Sequence, residues 1–247
     1  MIVLKTDNEI ELMAKAGQVA GNCLAMLGSM VRPGITTREL DAIAEEFIRK
    51  CGAIPTFKGY MGFPASICAS RNDVVVHGIP DDRPLLEGDI ISIDVGATLE
   101  GFVGDTAATF PVGKVSATAR LLIDTTRESL YAGIAAAVPG NHLGDIGAAV
   151  ESVVRKAGFS VVTEYAGHGV GRRMHEDPNV PNFGAKGTGP VLRRGMVIAI
   201  EPMVNVGGHE VISYPNLRVV TKDGSLSAHF EHTVAVTATG PRPLTLV

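Results

Sequence analysis

Apolar positions at Ile10, Met13, Gly17, Ala20 and Leu24 recur at the spacing of one helix face. Thr6 lies three residues before Glu9, the capping-box spacing, so a first helix is predicted to open at Thr6. Pro33-Gly34 breaks it. A second helix is predicted from Thr36, again three residues before a glutamate, with Leu40, Ile43, Ala44, Phe47 and Ile48 turned inward and Gly52 closing it. Short strands are expected around Ile67–Ala69 and Val74–His77, on either side of an Arg71-Asn72-Asp73 turn. The stretch from Glu87 to Phe110 then alternates as two strands joined by a short turn. Folded about the Leu99-Glu100 step, this hairpin would set Asp94 directly opposite Asp105.

The second half repeats the pattern of the first. Val31–Gly52 aligns with Ala137–Gly158 at an offset of 106 residues, matching Pro33 to Pro139, Gly34 to Gly140, Glu45 to Glu151 and Gly52 to Gly158. EGDIISID (Glu87–Asp94) aligns with RGMVIAIE (Arg194–Glu201) at an offset of 107, which puts Asp94 on Glu201. The expected architecture is α+β: one unit over 1–247 with duplicated halves of about 1–112 and 113–247, helices covering a curved antiparallel sheet. Beyond the repeat, Met196–Val204 reads as one buried strand. The Asp223-Gly224 pair predicts a hairpin whose returning strand carries Glu231.

Composition narrows the classes. Of 247 residues, 45% are hydrophobic and 19% charged, enough for a buried core, and the net charge of -4 gives no general attraction to nucleic acid or anionic membrane. Three cysteines without a CxxC pair argue against a disulfide scaffold or zinc ribbon and for a reducing compartment. The polar start is not a signal peptide, and no apolar run approaches the roughly 20 residues that span a bilayer. A cytoplasmic protein without a membrane or nucleic-acid site is expected.

The chemistry lies in the acids. Two carboxylates facing each other across a hairpin repel, so a cation between them is expected. Asp94 and Glu201 end the equivalent apolar runs IISI and MVIAI, where a lone buried carboxylate is costly. His168 lies in GHGVG, whose glycines let the backbone approach a crowded centre. Asp94, Asp105, His168, Glu201 and Glu231 form an oxygen-rich set, unlike a thiolate zinc site or an all-oxygen calcium loop. Four acids suit two divalent ions sharing bridging carboxylates about 3.5–4 Å apart.

HGIP, SIDVGATLEGFVGDTAATF, GHGVGRRMHEDP, IAIEPMV and SLSAHFEHT, in this order and spacing, resemble the type I methionine aminopeptidases, members of the pita-bread metallopeptidases. The resemblance runs from the first helix to Thr237. It implies that Asp94 chelates one ion, that Asp105 and Glu231 bridge both, and that His168 and Glu201 bind the other. It further implies that His77 and His175 line the active site, His77 by the scissile amide and His175 on the oxyanion. A metal-bridging hydroxide would attack the first peptide bond while Glu201 carries the proton to the leaving amine, and the substrate's α-amino group would bind a metal. Tyr60, Phe63, Cys68 and Met174 match the family's methionine pocket. Leu217 stands where relatives often carry a tryptophan, on the strand before the Asp223-Gly224 turn, and the pocket is then expected to be wider. Asn72, Val74 and Ser227 match a monovalent-cation site of relatives. His142, His209, His229 and His232 are read as structural.

The resemblance thus implies removal of the initiator methionine from new polypeptides whose second residue is small, by a monomer in transient contact with the ribosome. The metal remains open among manganese, iron, cobalt and zinc. A Met1-Ile2 start is expected to keep its own Met1. A prolidase or aminopeptidase P shares the fold and the metals but usually carries an extra N-terminal domain, whereas this chain starts at the first catalytic helix. A metal-free binding module is the non-enzyme reading, and the presence of all five ligands speaks against it.

Overall fold

Both predicted helix starts are held by reciprocal caps. The Thr6 hydroxyl accepts the Glu9 N–H while the Glu9 carboxylate accepts the Thr6 N–H, and Thr36 and Glu39 do the same. The computed structural model describes residues 1–247. The first half contains α1 (Asp7–Met30) and α2 (Thr37–Lys50). Its strands are β1 (Ile54–Pro55), β2 (Ile67–Arg71), β3 (Val74–Val76), β4 (Ile90–Leu99) and β5 (Phe102–Pro111). The second half contains α3 (Ala117–Ala136) and α4 (Leu143–Lys156). It continues with β6 (Ser160–Val161), β7 (Gly167–Gly169), β8 (Glu176–Val180), β9 (Val197–Ile200) and β10 (Met203–Asn205). The last strands are β11 (Val211–Ser213), β12 (Val219–Thr221), β13 (Ser227–His229), β14 (Glu231–Thr237) and β15 (Gly240–Pro243).

The main sheet has nine strands in the order β1-β4-β5-β14-β9-β7-β8, with β2 on β4 and β15 on β14, and every pairing in it is antiparallel. Two three-stranded sheets, β13-β10-β6 and β11-β12-β3, stand beside it. Helices α1 and α2 bury Leu27, Leu40, Ala44 and Ile48 with Ile91 and Ile93 of β4 in one core. Helices α3 and α4 bury Leu122, Leu130, Ile146 and Val150 with Ile198 and Ile200 of β9 in another. This is the α+β arrangement of helices on an antiparallel sheet that the sequence predicts.

The aligned halves adopt matching local structure. α2 and α4 are offset by the predicted 106 residues. Gly34 and Gly140 both take positive φ, and each donates its N–H to a leucine carbonyl, Leu85 and Leu192 respectively. Arg49 pairs with Glu45 and Arg155 with Glu151 across one helical turn. Isolated bridges join Thr36 to Pro84 in one half and His142 to Val191 in the other.

Three expectations are corrected. The hairpin turns at Glu100-Gly101, because both residues take positive φ as a tight two-residue turn requires. Asp105 therefore pairs with Gly96 and Asp94 with Ala107, so the two aspartates are diagonal neighbours on one face and not directly opposed. Met196–Val204 is not one strand: β9 ends at Ile200, since Pro202 has no N–H to continue the ladder, and the chain resumes as β10 in another sheet. The Asp223-Gly224 turn exists, but β12 and β13 on either side join different sheets, and Glu231 begins β14 beyond them. The Asp223 carboxylate is occupied by the Gly208 and Ser225 N–H groups, which fixes the turn to the 205–208 loop instead of closing a hairpin.

Helix α1 lies directly against the β4–β5 hairpin where two glycines meet. A Cβ on Gly104 would stand 2.4 Å from the Gly17 nitrogen, closer than packed atoms approach. Gly104→Ala is expected to push α1 off the sheet and to cost about 1–3 kcal/mol, the usual range for overpacking. Urea unfolding of the variant checks this; an unchanged midpoint would show that the contact is not tight.

Candidate metal centre

Register brings the five predicted residues to one face of the main sheet. Ala107 pairs with Asp94 on one side and with Glu231 on the other. His232 pairs with Ile200, so Glu231 stands beside Glu201, one step past the end of β9. Two residues along the strands, Asp105 pairs with Gly96 and exchanges two hydrogen bonds with Thr233 through the Thr233 hydroxyl, at 3.1 and 2.8 Å. Thr233 pairs with Ala199, and the Gly169–Ile198 pairing sets His168 beside Ala199. Ala107, between Asp94 and Glu231, and Ala199, between Thr233 and His168, put only a methyl group between the ligand side chains, while the Phe57 ring fills the space over Gly96.

Asp105, His168 and Glu231 each bring one ligand atom within 4.8 Å of the other two, as do Glu201, His229 and Glu231. The Asp94 carboxyl lies against that of Asp105. His168 Nε2 is 3.7 Å from Asp105 Oδ2 and 3.5 Å from Glu201 Oε1. Its Nδ1 lies 3.0 Å from the Gly169 carbonyl, which can only accept, so the proton sits on Nδ1 and a lone pair on Nε2 faces the carboxylates. Burial, then the neighbouring His175, depresses the His168 pKa to about 4, keeping it neutral.

The acids pay heavily for this placement. Asp105 and Glu231 are each only 2% exposed, and burial is the largest influence on all four carboxyls. Burial and then Glu201 push Asp105 up to about 8; burial pushes Glu201 to about 8 as well. Asp94 and Glu231 are held well above the ordinary carboxylate range by burial and next by Asp105. Asp94 Oδ1, Asp105 Oδ1, Glu231 Oε1 and His229 Nε2 are buried without any hydrogen-bond partner. Unpartnered oxygens converging on one space beside a neutral imidazole are what a divalent cation with hard ligands requires. The donor set fits such ions.

The cluster floors a cavity of about 550 Å³. Every residue expected in the pocket lines it: Tyr60, Phe63, Cys68, His77, Met174, His175 and Leu217. The Tyr60 hydroxyl is 2.8 Å from His175 Nδ1, and the His175 ring lies tilted against that of His168 with centroids 4.2 Å apart. His77, at positive φ, holds Nδ1 3.3 Å from the Leu217 carbonyl. Burial lowers the pKa of both His77 and His175. Leu217 is corrected in one respect: it lies in the turn between β11 and β12, also at positive φ, and not on a strand. Tyr165 and Tyr214 supply aromatic surface in that wall of the cavity. Asn72 and Ser227 are adjacent, with the Ser227 N–H donating to the Asn72 carbonyl at 2.8 Å and the buried Ser227 hydroxyl unpartnered; Val74 follows on β3.

Two features escape a reading of the sequence. His229, expected to be structural, reaches the cluster with Nε2 3.5 Å from Glu201 Oε2. Its two-residue spacing from Glu231 was the available signal. Lys5, before the first helix, forms a buried 2.7 Å ion pair with Glu176, whose other oxygen accepts the Arg173 N–H. This pair ties down the turn carrying Met174 and His175, and removing one partner of such a pair costs roughly 3–5 kcal/mol.

Buried acids around neutral imidazoles, at the floor of a largely apolar cavity, define a metal-dependent hydrolase built across two matched halves of one sheet. Comparison with known proteins gives the family. The model for metallopeptidase family M24 matches residues 11–238. A methionine aminopeptidase of Clostridium acetobutylicum is 54% identical over all of this chain and 99% of its own length. The crystal structure of a Rickettsia prowazekii methionine aminopeptidase superposes with a TM-score of 0.98 at 43% identity, covering 100% of both chains. A Pyrococcus furiosus prolidase superposes with a TM-score of 0.78 at 25% identity, covering 99% of this chain and 66% of its own. The chain belongs to metallopeptidase family M24, among the methionine aminopeptidases.

The raised carboxyl pKa values fix a direction of pH dependence. An unfolded Asp ionises near 3.9, but folded Asp105 holds its proton to about 8. At this site the unfolded state therefore binds fewer protons between those values, so the site's contribution to stability without cations falls as pH rises through that window. Below about 6.5 the buried histidines with lowered pKa act in the opposite direction, so the falling Tm is expected in calorimetry of chelator-treated protein from about pH 7 to 8. Asp105→Asn should flatten the fall, and manganese(II) should restore the Tm of the parent protein at pH 7.5. A chelated Tm that rises with pH over that range would contradict this reading.

Proposed function

We propose that this chain removes the N-terminal methionine of polypeptides whose second residue is small, using two divalent ions held by Asp94, Asp105, His168, Glu201 and Glu231. The observation that carries the reading is the set of unpartnered buried carboxylate oxygens on the cavity floor. Divalent ions there would supply Lewis-acid polarisation of the scissile carbonyl and a water nucleophile effective near neutral pH. Asp94, Asp105 and Glu231 would hold the ions together with His168 and Glu201, and the carboxyls would be ionised in that state. Glu201, at the rim of the cluster, takes the proton of the attacking water and returns it to the leaving amine.

The two non-ligand histidines have complementary tasks. His77 donates Nδ1–H to the Leu217 carbonyl, so its Nε2 accepts the N–H of the scissile amide. In this proposal the Tyr60 hydroxyl donates to His175 Nδ1, 2.8 Å away, so that the His175 proton sits on Nε2 and can meet the developing oxyanion. Both tasks need neutral rings, which burial favours. Phe63, Cys68 and Met174 are buried and give the methionine thioether an apolar, sulfur-compatible seat beside Tyr60. Leu217 at the cavity's wall leaves space that an aromatic ring would fill.

The two halves, 1–112 and 113–247, act as one catalytic unit in this proposal, because Asp94 and Asp105 come from one and His168, Glu201 and Glu231 from the other. The substrates are nascent chains and peptides, met in the cytoplasm by a monomer in transient contact with ribosomes. Asn72, Val74 and Ser227 would hold a monovalent cation that braces β3 against β13. No helix is long and apolar enough to cross a membrane.

Peptide hydrolysis tests the proposal. Met-Ala-Ser should lose methionine, Met-Leu-Ser should be cleaved far more slowly, and Ala-Pro peptides should survive. Chelation should abolish turnover and added manganese(II), iron(II), cobalt(II) or zinc(II) should restore it. Preferred Xaa-Pro cleavage, or turnover indifferent to chelator, would overturn the proposal.

A further inference from the structure

Glu201 stands between two imidazoles, one facing each of its oxygens. His168 Nε2 is 3.5 Å from Oε1, and His229 Nε2 is 3.5 Å from Oε2. Only the first of these contacts belongs to the ligand set proposed above. His229 is 2% exposed, and its Nε2 is buried with no hydrogen-bond partner. A charge-assisted N–H···O bond would measure about 2.7–2.9 Å, so the contact to Glu201 is too long to be one. Ligand atoms about 2.0–2.1 Å from a shared cation lie about 3.0–3.4 Å from one another, much closer to the observed spacing. Glu231 completes the group, with one ligand atom from each of the three residues within 4.8 Å of the others. The same 4.8 Å relation joins Asp105, His168 and Glu231.

We propose that Glu201, His229 and Glu231 form a third divalent-cation site, which inhibits the enzyme when filled. The inference rests on the two-ion reading above. Four ionised carboxylates balance two divalent ions, so a third ion enters a centre with no negative charge left to offset it. Its affinity is lower for that reason, and it fills only when cation is in excess. His229 supplies a neutral nitrogen donor that holds such an ion without needing a further acid. Filling the site engages Glu201 Oε2, the oxygen not facing His168. The carboxylate can then no longer take up and pass on the proton of the attacking water. Turnover falls although the first two ions and the substrate pocket are intact.

Manganese(II) titration with free ion counted by electron paramagnetic resonance tests the site directly. Chelator-stripped wild-type protein should bind two equivalents and then a third, weaker one, and activity should rise with the first two and decline as the third binds. His229→Gln should bind two equivalents with affinities close to those of the parent and show no decline at excess manganese. The chelated forms of both proteins should melt alike, showing that the variant is folded. A wild-type count that stops at two overturns the third site and leaves the two-ion reading standing. An unchanged third equivalent in folded His229→Gln also overturns it. A wild-type protein that binds no manganese sinks both readings, so the two failures are distinguishable. Should His229→Gln not fold, the wild-type count together with the matching decline in turnover decides.

Discussion

The structure turns on four carboxylates buried against one another. Removing one ionised carboxylate from water without a partner is costly, and Asp94, Asp105, Glu201 and Glu231 also repel. Their side chains offer each other little relief, since Asp94, Asp105 and Glu231 each keep a buried oxygen without a partner. Cations are the natural counter-charge. The small residues Ala107, between Asp94 and Glu231, and Ala199, beside His168, keep side-chain bulk out of the space such ions need. His168 is held neutral with its lone pair inward, by burial and by a single backbone carbonyl.

The two halves deliver their acids by different devices at corresponding points. In the first, an unbroken ten-residue strand, β4, carries Asp94 and returns through a tight turn with Asp105. In the second, the matching strand stops after four residues, because Pro202 ends the ladder just past Glu201. Asp94 is therefore fixed within a continuous strand, whereas Glu201 stands at a junction between two sheets. β14 closes the gap, pairing with both β5 and β9 and starting at Glu231.

Much of this was legible in the sequence because it rests on local chemistry. Thr6–Glu9 and Thr36–Glu39 announce helix starts, and the repeated Pro-Gly, Glu and Gly positions reveal the matched halves. The five candidate ligands were legible too, through apolar runs ending in acids and through motif resemblance. What escaped depends on partners distant in the chain. Leu99-Glu100 and Glu100-Gly101 are both plausible turn centres on alternation alone, and only the left-handed conformation at Glu100 decides between them. The Asp223-Gly224 turn looks like a hairpin until β12 and β13 are drawn into different sheets. His229 carried only the weak signal of its spacing from Glu231, and the Lys5–Glu176 pair is purely tertiary, spanning 171 residues.

The central claim is that the buried acids exist to hold divalent ions. Anomalous diffraction from crystals loaded with manganese(II) at low stoichiometry tests it most directly. The account predicts two strong anomalous peaks inside the ring of Asp94, Asp105, His168, Glu201 and Glu231. Peaks confined to other sites, or a cavity that stays free of anomalous signal in protein that turns over, would contradict it.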